Sequence, residues 1–191
     1  MRVLVIPEDF RKDQYLLRPL LSRLFQTIGK RHVRVEICRA PLLGGVDQAL
    51  KSNRIAEVMS RHGGMAHLIV LCVDRDGNLG RHVRLGDMER EFGTDRRAFL
   101  AENAWEELET WVLAGLALPG EWLWSDVRAE VHVKERYFDP LARQRGFSDA
   151  PGGGRKPLGM EAARRIDAIR QKCPEDFDCL ARRLEAAVRA L

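Results

Sequence analysis

Apolar positions along the chain switch between two spacings. Val3-Leu4-Val5-Ile6 is an unbroken apolar run and predicts a first strand over residues 2–6, followed by the acid-bearing loop Pro7-Glu8-Asp9. Leu16, Leu17, Leu20, Leu21, Leu24 and Ile28 then fall on one stripe of a helix over about 13–28, which Gly29 stops. Val33, Val35 and Ile37 alternate with Arg34 and Glu36, the period of a strand. Gly44-Gly45 turns the chain into a helix over about 46–61, closed by Gly63-Gly64. A second apolar run predicts a strand at about 67–73, and a charged helix is expected near 81–92. Ala98 to Ala101 reads as a short strand and Trp105 to Leu116 as a helix. Strands alternating with helices predict an α/β fold, a mainly parallel sheet flanked by helices.

From Pro119 the pattern changes. Residues 1–118 are expected to form the α/β domain, and 119–191 a mostly helical C-terminal extension packed on it. Trp122, Trp124, Tyr137 and Phe138 lie in a stretch the pattern does not assign; the two tryptophans can stack bases or pack the extension onto the sheet. Asp149 to Lys156, with Gly152-Gly153-Gly154, reads as a loop, which could equally cradle phosphate through its backbone N–H groups. Two helices are expected at about 159–172 and 175–190, with Pro174 in the first turn of the second and Glu175 and Asp176 complementing its dipole.

Composition narrows the class. With 45% hydrophobic and 31% charged residues the chain can build a core, which excludes whole-chain disorder. The net charge of +4 is compatible with a polyanionic partner. The N-terminus enters a strand directly and no apolar run approaches the ~20 residues of a membrane span, so neither a secretory signal nor a membrane location is expected. Cys38, Cys72, Cys173 and Cys179 show no paired spacing, which suits a reduced, cytoplasmic protein without a zinc site. The five histidines lack zinc-enzyme spacing, and only His82 stands near a candidate site. No phosphate-loop sequence G-x-x-x-x-G-K-[ST] occurs, so an internal ATPase of that kind is excluded.

The chemistry concentrates in Val70-Leu71-Cys72-Val73-Asp74-Arg75-Asp76-Gly77-Asn78. An apolar run buried on both faces ends in two acids one residue apart, which strand periodicity aims the same way. Such a pair holds a hard divalent cation or merely caps a turn. Glu8 ends the first strand, and the fourth leads into Glu102, Glu106 and Glu109. Ligands of an open α/β sheet bind beyond the carboxyl ends of its strands, where all these acids are expected; acids there also cap helices.

A strand ending in Glu, then helix, strand, helix and a strand ending in Asp-x-Asp resembles the TOPRIM domain of topoisomerases, bacterial primases and OLD-type nucleases. Ala98 to Ala114, with Glu109-Thr110-Trp111, is similar to a segment of small stand-alone bacterial TOPRIM-like proteins, as are the Gly-rich loop, the basic helix and Cys173-Pro174-Glu175-Asp176-Phe177. One departure is Asp9, where TOPRIM proteins usually carry glycine straight after the first Glu.

The resemblance implies a site of Glu8, Asp74 and Asp76 binding Mg²⁺ or Mn²⁺, with Glu109 contributing from farther away. Asp13 is either a ligand of a second ion or a first-turn helix acid. Glu8 is either a further ligand or the general base. Lys12, Arg75 and Arg81 are candidates for binding phosphate, or are solvated surface charges. The expected function is a metal-dependent nuclease cleaving DNA or RNA, a bacterial defence (phage defence) or toxin effector, with a partner protein such as a separately encoded ATPase. Two other readings stay open: a non-catalytic subunit binding nucleic acid or a partner, and a phosphoesterase or nucleotidyl transferase acting on a small nucleotide. Topoisomerase strand passage is not expected, since neither Tyr15 nor Tyr137 lies in the acidic core.

Overall fold

A computed structural model describes residues 1–94 and 97–191. Four strands, β1 (Arg2–Pro7), β2 (Arg34–Ile37), β3 (Leu68–Asp74) and β4 (Ala98–Ala104), form one all-parallel sheet in the order β2-β1-β3-β4. The fold is therefore α/β and Rossmann-like. The order reverses between β1 and β3, so their carboxyl ends flank the point where a crevice opens in such sheets. Pro7 pairs with Cys72, which sets Glu8 beside the last residues of β3.

Residues alternate between two cores. Val3, Val5, Leu68, Val70 and Cys72 face one side, where they pack with α1 (Phe10–Thr27). Leu4, Ile6, Ile69, Leu71 and Val73 face the other and meet α2 (Val46–Ala49), α3 (Ser52–His62) and α4 (Arg81–Phe92). The helix expected over 46–61 is thus two. It breaks at Leu50-Lys51, where the Leu50 carbonyl accepts from Arg84 Nε and Nη2 of α4 instead of continuing a helical ladder.

After β4 the helix α5 (Glu109–Gly115) is shorter than expected, because residues 105–108 form a turn with Glu106 at φ 68°. There follow α6 (Trp124–Ala129), a π-helical turn (Lys134–Phe138) and α7 (Asp139–Gln144). Last come α8 (Arg155–Ala163), α9 (Ile166–Lys172) and α10 (Phe177–Ala190). The core around α1 runs on without a break into these C-terminal helices: α8 packs on α1 and α5, and α10 on β4. Trp111 is wholly buried with its ring edge-on to Phe177, 5.1 Å between centres. Asp176 stands at the N-cap of α10, and its side chain is engaged away from the helix N–H groups. It is buried and accepts from the Trp105 N–H and Trp111 Nε1, each at 2.7 Å, and from Arg128. Trp122 packs against Tyr137 at 5.0 Å. No helix among the described residues is long and apolar enough to cross a membrane.

Candidate functional site

Beyond the carboxyl ends of β1 and β3 the chain gathers carboxylates from four elements. Glu8 follows β1, Asp13 lies in the first turn of α1, Asp74 ends β3 and Glu109 opens α5. Glu8 Oε2 accepts the Asp74 backbone N–H at 3.4 Å, and Asp74 Oδ1 accepts the Leu108 N–H at 2.8 Å. Burial raises the Glu8 pKa to about 7, helped by the charge of Asp76 and opposed by the Asp74 N–H and Arg81. Burial, then the charges of Glu109 and Glu8, raise Asp13 to about 8 against the hydrogen bond from the Asp9 N–H. Asp74 is driven well above the ordinary carboxylate range by burial and by Glu109, Glu8 and Asp13. These acids are close enough to suppress one another's ionisation, the behaviour of a group short of positive charge.

Asp76 differs from its partner. Because β3 ends at Asp74, strand periodicity does not carry to Asp76, and the two carboxylates do not share one environment. Asp76 lies in the following turn at φ 50° with its side chain 47% exposed, and Arg81 Nη2 stands 3.6 Å from its Oδ2. Arg81 opens α4 and is buried, its Nε and Nη1 without hydrogen-bond partners among the described residues. Lys12 is exposed in the first turn of α1.

Arg75 serves the turn rather than the site. Its guanidinium pairs with buried Glu106 and lies 3.8 Å from the centre of the Trp105 ring. Glu106 is the organiser that sequence reasoning missed: its carbonyl accepts from the N–H groups of Arg75 (2.7 Å) and Asp76 (3.2 Å), and its Oε2 from Gly77 N–H at 2.6 Å. Glu102 also stands apart. It lies inside β4 and pairs with Arg183.

Two of the named acids carry structural bonds. Asp13 Oδ2 accepts the Asp9 N–H at 2.9 Å while Asp9 Oδ1 accepts the Arg11 N–H at 3.0 Å, a reciprocal cap on α1. Asp9, where the resembled family usually carries glycine, is extended (φ −126°, ψ 94°), so the turn requires no glycine. Glu109 forms a buried ion pair with Arg155.

Among the described residues, no group of three His, Cys, Asp or Glu side chains stands ready to hold an ion. The donors are nevertheless hard carboxylate oxygens short of counter-charge. Oxygens of this kind are the donors that Mg²⁺ and Mn²⁺ take, one or two carboxylates at a time with water and substrate oxygens completing the shell. The four cysteines are free thiols, all but Cys179 buried. Compared with known protein families, characterised proteins and solved structures, the chain matches none.

Proposed function

We propose that this chain is a TOPRIM-like nuclease that hydrolyses phosphodiester bonds of DNA or RNA with Mg²⁺ or Mn²⁺. The observation that carries this reading is the gathering of Glu8, Asp13, Asp74 and Glu109 at the carboxyl ends of the two central strands, mutually repelling and with raised pKa values for the first three. Asp74 and Asp76 would hold the ion, with Glu8 either a further ligand or the general base. Bound there, it supplies charge neutralisation of the phosphodiester and stabilises the attacking and leaving oxygens.

The chain's own residues do the rest. With one oxygen of Glu8 engaged by the Asp74 N–H, the other is left either for the ion or, as general base, for a proton from water. Arg81, tied loosely to Asp76, and exposed Lys12 would meet the phosphate oxygens. We place the protein in the cytoplasm as a defence or toxin effector, working with a separately encoded ATPase.

The reading as a non-catalytic nucleic-acid- or partner-binding subunit draws on one observation. Asp13 and Glu109 are already engaged by Asp9 and Arg155, which leaves fewer free ligands. A panel of single- and double-stranded DNA, RNA and free nucleotides, incubated with Mg²⁺ or Mn²⁺, separates the readings. The nuclease reading expects cleavage of a polynucleotide, reduced at least about a hundredfold by Asp76→Asn. Binding without cleavage supports the subunit reading, and turnover of nucleotides alone moves the substrate to small molecules.

A further inference from the structure

A groove of about 390 Å³ runs between α1 and α8, lined by Gln14, Tyr15, Arg18, Lys156 and Met160 among others. Gln14 follows Asp13, and Lys156 follows Arg155, the partner of Glu109, so each wall continues from the acid cluster. The Gly152 turn joins the two walls. Its carbonyl accepts from Arg155 Nη1 at 2.8 Å, and a Cβ there would lie 2.6 Å from Tyr15 Cδ2, so glycine lets the Tyr15 ring seat. The charge of this groove is one-sided. The one acid of α1, Asp13, accepts the Asp9 N–H, and the one acid of α8, Glu161, pairs with Arg145. Exposed Arg18 and Lys156 therefore make no ion pair among the described residues, whereas Arg61, Arg90 and Arg189 each find an acid within a turn of their own helix. Arg39, after β2, adds a third cation, its Nη2 donating to Gln14 Oε1 at 3.4 Å. Met160 keeps 51% of its surface exposed on the same groove as Tyr15.

We propose that this groove holds a single strand of the polynucleotide, with Arg18, Lys156 and Arg39 on its phosphates and a base against Tyr15 and Met160. This rests on the nucleic-acid reading above and requires no metal ion. Unpaired cations beside an aromatic ring are the combination that binds single strands with little regard to sequence, because every base has a face to stack and every nucleotide a phosphate. A cavity of this volume suits a body the size of a small ligand, one nucleotide rather than a duplex. Since both walls continue from the acid cluster, a strand lying here reaches the carboxyl ends of the sheet.

Fluorescence anisotropy of short labelled DNA and RNA strands with the full chain, in chelator and over a salt series, tests this without cleavage. Arg18→Ala/Lys156→Ala, both exposed and so expected to fold, should weaken binding at least about tenfold at about 0.1 M salt. The slope of log affinity against log salt should shrink by about 1.4, two phosphates at about 0.7 each. Lys30→Ala/Arg31→Ala removes the same charge from the exposed loop at the other end of α1 and should change neither. Equal losses in the two variants, no loss in the first, or tighter binding of duplex than of single strand overturns the inference and leaves the nucleic-acid reading standing. Displacement of the strand by polyglutamate as readily as by unlabelled strand also overturns it, since the groove would then take any acidic polymer. No binding of any polynucleotide by the wild type overturns the nucleic-acid reading and this inference with it.

Discussion

Asp76 and Glu106 meet across the turn after β3, and among the described residues they are the two non-glycine positions with positive φ. Left-handed backbone is uncommon for residues other than glycine and is enriched in Asn and Asp. Asp76→Asn is for that reason the informative variant: it keeps the shape and the backbone and removes only the charge, so activity should fall while the melting temperature stays within about 2 °C of wild type. Asp76→Ala would confound the two by straining the turn. Glu106→Ala removes the buried partner of Arg75 and the acceptor of the Gly77 N–H. It should cost about 3 kcal/mol, each kcal/mol lowering the melting temperature by about 2–4 °C. An unchanged melting curve would contradict its role in the turn. The acids that end apolar runs, Glu8 and Asp74, were legible from sequence because a buried strand announces its own end. The work of Glu106 was not, since it depends on a backbone angle and a carbonyl that no residue pattern displays.

At the scale of elements, close approach decides which glycines matter. A Cβ on Gly159 of α8 would lie 2.6 Å from the Tyr15 carbonyl of α1, and one on Gly115 2.8 Å from the Ala162 carbonyl. Gly159→Ala should force α8 off α1 and destabilise by about 1–3 kcal/mol. Gly86, inside α4, has nothing within 4 Å of its Cβ position, so Gly86→Ala should stabilise by up to about 1 kcal/mol. Opposite signs in parallel urea melts are the expected result; equal signs would refute the packing account. The alternation of strands and helices was readable because each element keeps its own period. The break between α2 and α3 was not, because Leu50 is followed by Lys51 without glycine or proline, and the cause is Arg84, 34 residues away. Nor was the pair that ties α8 to α5, since Glu109 and Arg155 stand 46 residues apart.

Across the whole molecule the dominant feature is buried acid. Glu8, Glu102 and Glu107 are pushed up to about 7 and Asp13 to about 8, in each case chiefly by burial. In the unfolded chain the same groups ionise near about 4. The folded state therefore holds more protons between those values, and stability present at low pH is lost as pH rises through about 7 to 8. The metal-free protein should melt at a lower temperature at pH 8.5 than at pH 5.5; a higher one would contradict the assignment of carboxylates whose burial outweighs the partners they have. On the metal reading, an ion would compete with protons for Glu8 and Asp74, so its effect should be greatest where the acids have lost their protons. The most direct measurement is the shift in melting temperature on adding Mg²⁺ at pH 8, wild type beside Asp74→Asn/Asp76→Asn, whose amide oxygen at position 74 can still accept the Leu108 N–H. The wild type should rise by several degrees while the double variant does not move. An equal rise in both, or none in the wild type, would contradict a metal site at the ends of β1 and β3.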